Sequence, residues 1–107
     1  MNALTFAEYG QAARRTDLKR DTEPSLSFPL LGLFGETGSL LSEVKKKQRD
    51  PVAYLGYEES VLEELGDALW YLNALADRAN LTLSDLAINL DCNLVNWKSA
   101  GSEELTF

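Results

Sequence analysis

From Glu58 to about Asn80 the apolar residues Val61, Leu65, Ala68, Leu69, Leu72, Leu75 and Ala76 recur at the spacing of one helix face, with no strand-like alternation. A chain built on such a segment is helical. Three further helices follow from the same reading. Thr5 to about Arg20 carries Phe6, Tyr9, Ala13 and Leu18 on one side, with Thr5 as N-cap and Glu8 three positions on. Ser27 to Gln48 holds Pro29 in its first turn and is ended by Asp50-Pro51. A fourth helix capped by Thr82 or Ser84 runs to about Lys98, with Leu86, Leu90, Leu94 and Trp97 on one stripe and Asp85, Asn89, Asn93 and Asn96 on another. The expected fold is all-α: four helices in one domain over residues 1–107, its core at about 26–98. A flat array of this size is completed by homodimerisation, as a dimer or tetramer.

Composition limits the chemistry. Histidine is absent and Cys92 is the single cysteine. That removes triads built on histidine, cysteine-cluster zinc sites, internal disulfides and the Glu-x-x-His signature of di-iron bundles. What remains is acid chemistry with oxygen ligands, which suits magnesium or manganese. A net charge of −7 argues against long nucleic acid as a partner, because neutralising phosphates needs a basic surface. No segment reads as a membrane span or signal peptide, so the expectation is a cytoplasmic protein.

Two acidic strings stand inside these apolar helical patterns: Gly35-Glu36-Thr37-Gly38-Ser39 and Glu63-Glu64-Leu65-Gly66-Asp67. An ionised carboxylate in a core-like stripe needs a cation or strong donors as partner. Glu64 and Asp67 are neighbours on one face, with Tyr71 beyond them. Glu36 and Ser39 share a face too, and Glu43 returns to nearly the same angle roughly 10 Å further along the axis. Antiparallel packing of the two helices would let the acids converge on one or two ions. Gly32, Gly35 and Gly38 each cost roughly 1 kcal/mol relative to alanine within a helix, which suggests close approach of a backbone or ligand. Lys45, Lys46, Lys47 and Arg49 complement the dipole at the end of the second helix or bind phosphate.

The run Leu31 to Ser39, then Lys45 and Lys46, then Glu63 to Leu72 resembles the MazG-like branch of the all-α nucleoside triphosphate pyrophosphohydrolases. That family's pattern is a Glu-x-x-Glu, a spacer, and a Glu-x-x-Asp. The resemblance covers about residues 28 to 98. It implies a MazG-like four-helix domain that cleaves (d)NTPs between the α- and β-phosphates, giving the monophosphate and pyrophosphate, with house-cleaning of non-canonical nucleotides within its range.

By the same resemblance Glu36, Glu64 and Asp67 take the positions of three magnesium ligands, and Ser39 stands where the pattern has a fourth acid. Glu43, a turn further on, is a water-mediated substitute for that acid. Glu36, Glu43, Glu64 and Asp67 form the catalytic set, with Glu36 or Glu43 orienting the attacking water. On the last helix Asn89 fits the family's asparagine and, with Asn93 on the same stripe, is a substrate contact. Cys92 and Asn96 occupy the family's basic positions, so Lys46, Lys47 and Arg49 are the candidate phosphate contacts, with Lys98 behind them. Trp70 and Tyr71 are candidates for stacking on the base. The competing reading is a helical module that kept the scaffold and lost turnover, binding nucleotides as a sensor or serving in dimerisation.

Overall fold

The computed structural model describes residues 3–89, and all the regular structure there is helical. Helix α1 spans Phe6–Thr16, α2 spans Ser27–Arg49 and α3 spans Tyr57–Arg78. A fourth helix opens at 83 and is described through 89. Asn93, Cys92, Asn96 and Lys98 lie outside the described residues.

Local chemistry explains most of the boundaries. Thr5 Oγ1 accepts the Glu8 amide at 3.0 Å while the Thr5 amide donates to Glu8 Oε1 at 3.0 Å, a complete capping box. The helix stops at Thr16 rather than near Arg20. Asp17 leaves helical geometry there, its carboxylate accepting the Lys19 amide at 3.2 Å and the Arg78 guanidinium at 2.6 Å. At the end of α3, Asn80 takes a positive φ of 61° and lets the Leu81 amide reach back to the Ala76 carbonyl at 2.8 Å. Asparagine tolerates this left-handed position, so the helix closes without glycine. Thr82, not Ser84, caps the next helix through reciprocal bonds with Asp85 at 2.9 and 3.1 Å.

Helices α2 and α3 pack antiparallel. Gly32 meets Tyr71 at one end, Glu36 faces Glu64 and Asp67 in the middle, and Tyr54 joins Glu43 to Ser60 at the other end. Helix α1 lies on the C-terminal half of α3, where Asn73 Nδ2 donates to the Gly10 carbonyl at 3.2 Å and Trp70 Nε1 donates to Thr16 Oγ1 at 2.8 Å. Arg78 is enclosed by Asp17, the Glu23 carbonyl at 2.9 Å and the Phe28 ring at 5.5 Å.

The buried apolar residues described are few and small: Ala13, Ala74, Ala76 and Leu83, with Pro29 enclosed in the first turn of α2. Larger ones stay open to solvent, including Leu30, Phe34 at 80% and Leu41 on α2, and Leu62 at 74%, Leu65 and Leu72 on α3. At 3.6 residues per turn, Leu30, Phe34, Leu41 and Val44 sit roughly 80–160° around α2 from Glu36, and Leu62, Leu65 and Leu72 roughly 100–180° around α3 from Tyr71. In an antiparallel pair the same sense of rotation turns both sets to one side. Trp70, Asn73 and Asp77, which meet α1, turn to the other.

Candidate metal and phosphate site

The antiparallel register of α2 and α3 sets Glu36 opposite the Glu64/Asp67 pair, and one carboxylate oxygen from each lies within 4.8 Å of the others. A cleft of about 360 Å³ opens beside them, lined by Glu36, Asp67, Trp70 and Tyr71. Glu36 Oε2 is buried with no hydrogen-bond partner. A buried acceptor left unpaired is costly, and a carboxylate pressed against two others is costlier still. The Glu36 carboxyl is accordingly pushed up to about 7, first by its hydrogen bond with Glu64, then by burial, and then by the charges of Glu64, Asp67 and Glu63. Three hard oxygen donors with one free, desolvated lone pair fit a small divalent cation such as magnesium or manganese.

The aromatic wall is fixed from behind. The Tyr71 ring rests on Gly32 and meets Phe28 edge-on with centroids 6.2 Å apart and Trp70 at 5.2 Å. Trp70 is held through its indole N–H by Thr16, whose hydroxyl donates to the Ala13 carbonyl at 2.7 Å. Tyr9, read from the sequence only as part of an apolar side, belongs to this neighbourhood. Burial and then the Asp67 charge push its phenol up, keeping it a neutral hydrogen-bonding group beside the acids. No sequence signal marks it, because the pairing comes from α1 crossing α3.

Several sequence candidates fall elsewhere. Glu43 is buried, but its carboxylate accepts the Tyr54 hydroxyl and pairs with Lys46 at 3.5 Å, so it braces the α2–α3 connection instead of joining the acid cluster. Lys46, Lys47 and Arg49 begin ten residues beyond Glu36, roughly 15 Å along the axis. Lys47 there donates to the Pro51 carbonyl at 2.7 Å and Arg49 pairs with Asp50 at 2.9 Å. Ser39 is half-buried on the next turn after Glu36, and Asn89 is exposed at the last described position. Of the three glycines on α2, only Gly32 shows the close approach expected, and the approaching group is a side chain. A β-carbon at Gly35 or Gly38 would meet nothing within 4 Å.

No protein-family model matches the chain, and no solved structure matches it. Among curated proteins it is similar to the Gene 37 protein of Mycobacterium phage L5, with 36% identity over 66 residues. That stretch covers 60% of this chain and 58% of the phage protein, whose name states no activity. Among the described residues no helix is long and apolar enough to cross a membrane.

Proposed function

We propose that the protein is a magnesium-dependent nucleoside triphosphate pyrophosphohydrolase of the MazG-like kind, working as a homodimer. What carries the reading is the convergence of Glu36, Glu64 and Asp67, drawn from two strings with the family's order and spacing, around a buried unpartnered Glu36 oxygen.

A bound divalent cation supplies charge for the phosphoryl oxygens and lowers the pKa of a coordinated water. The protein's part is positional. Glu64 and Asp67 would hold the ion from adjacent turns of α3, and Glu36 would hold it from α2. The Glu36 oxygen that is not on the ion would orient a water and take its proton. Trp70 and Tyr71 form the wall beside which the nucleotide lies. Glu43, bound to Tyr54, leaves the water to Glu36. Such a substrate suits a cytoplasmic activity.

The dimer is supported by the apolar side of the α2/α3 layer. Leu30, Phe34, Leu41, Leu62 and Leu65 form too large an exposed set for an ordinary monomer surface. A second copy brings an identical face. Light scattering at micromolar concentration is expected to give twice the chain mass, falling to one chain in Phe34→Glu/Leu62→Glu.

A panel of canonical and modified nucleoside triphosphates with magnesium or manganese, resolving pyrophosphate from phosphate, tests the activity. The expected products are monophosphate and pyrophosphate. Diphosphate and phosphate would contradict the reading. Metal binding with no turnover would favour the non-catalytic module, which draws support from Ser39 in place of an acid and from the engagement of Lys47 and Arg49 far from the cleft.

A further inference from the structure

A second cavity, of about 380 Å³, lies between α1, the C-terminal half of α3 and the opening of the fourth helix. Its walls combine apolar groups (Phe6, Leu81, Leu83) with Asn73, Arg14 and Asp77. This is the size of small-molecule sites, which pair apolar walls with a few placed polar groups.

Asn73 sets the chemistry. It is 6% exposed, and its Nδ2 is committed to the Gly10 carbonyl, which fixes the amide's orientation. Among the described residues no donor serves its Oδ1. A β-carbon at residue 10 would stand 3.1 Å from that oxygen, so glycine there keeps the acceptor uncrowded. Arg14 touches Asp77 through Nε at 3.4 Å, and no other hydrogen bond or ion pair engages its guanidinium among the described residues. Asn73 Oδ1 and the Arg14 guanidinium thus face the same cavity, whose lining also includes Asp77, paired with Arg14 and Arg20, and the polar side chains of Gln11, Thr82 and Ser84. A free anion gains little beside Asp77 and Asn73 Oδ1, and a purely aliphatic ligand would leave Oδ1 unpaired at a cost. A planar heterocycle with an N–H and a carbonyl on one edge satisfies both.

The two cavities share α3. Asp67 lines the acid cleft and Asn73 the second cavity, six residues on and roughly 9 Å along the axis, with Trp70 between them. We infer that this cavity receives the nucleobase of the nucleotide whose phosphates lie at Glu36, Glu64 and Asp67, with Asn73 Oδ1 accepting an N–H from the base edge and Arg14 donating to its carbonyl. The inference rests on the function proposed above for the anionic end of the ligand.

The test fills the cavity from its exposed rim and leaves the acids alone. Gln11→Trp, with Ala7→Trp as a second variant, is compared with wild type for binding of uncharged ribo- and deoxyribonucleosides by saturation-transfer NMR without metal, and for Mn2+ binding by electron paramagnetic resonance. Wild type is expected to bind nucleosides with an N–H edge, both variants to lose that binding by about tenfold or more, and Mn2+ affinity to stay unchanged. Where a triphosphate is turned over, its KM rises in the variants. Nucleoside binding that is absent in wild type, or equal in all three proteins, would overturn the inference while leaving the metal site intact. Nucleoside binding lost in the variants, from a protein that turns over no triphosphate, would uphold the cavity and sink the enzymatic reading alone.

Discussion

The Tyr71 ring lies against the α-carbon of Gly32, so close that a β-carbon there would overlap it. Phe28 and Trp70 meet the same ring, which leaves it little room to swing away. Gly32→Ala should therefore lose about 1–3 kcal/mol to overpacking, against roughly 1 kcal/mol regained in helix propensity. Gly35→Ala, with open space around it, should keep most of that gain. Urea unfolding of the two variants is expected to move in opposite directions.

Asp17 and Arg78 form a buried pair at 2.6 Å, with side chains 3% and 1% exposed. Removing one member strands the other charge, so Asp17→Ala should destabilise by about 3–5 kcal/mol. It should also loosen α1 against α3, because the pair ties the end of one helix to the end of the other. Chemical denaturation, with amide exchange in residues 6–16, checks both expectations.

Without a divalent cation, stability should depend on pH through Glu36. Its carboxyl titrates near 7 in the folded chain against 4.5 as the ordinary value. Between those limits the Glu36 carboxyl binds more proton in the folded state than in the unfolded one, so its contribution to stability is fully present below 4.5, falls as pH rises and is lost above about 7. A divalent cation takes the proton's place, so its stabilising effect should grow across the same window. Melting temperatures in chelator and in magnesium should diverge with rising pH, and Glu36→Gln should flatten the chelator curve.

Ser39→Glu restores a carboxylate one turn from Glu36, where both can reach a shared cation cluster. Tighter Mn2+ binding and saturation at lower magnesium are expected. Weaker binding would mean that the new charge crowds Glu36, and no change would place residue 39 outside the site.

The helices were legible because their signals are local: the Thr5/Glu8 box, Pro29, Asp50-Pro51 and the apolar period of α3 all act within a turn or two. The acid trio was legible because the 3.6-residue repeat fixes which side chains share a face, leaving only the antiparallel register of α2 and α3 to be supplied. Glu43 misled because its angle on α2 matches Glu36, while the tyrosine that captures its carboxylate sits in the following connection. The lysines misled for a related reason, since charge and helix position do not reveal carbonyls such as that of Pro51 beside Lys47. Tyr9, Asn73 and the Asp17–Arg78 pair depend on how α1 crosses α3, which has no counterpart in sequence spacing.

The most direct measurement is Mn2+ binding by electron paramagnetic resonance at pH 8, on wild type, Glu64→Gln and Asp67→Asn. The site built from Glu36, Glu64 and Asp67 predicts that wild type binds the ion and both variants lose it, with helical content by circular dichroism unchanged, since neutralising one acid of a crowded cluster relieves repulsion. Equal Mn2+ affinity in all three proteins would contradict it.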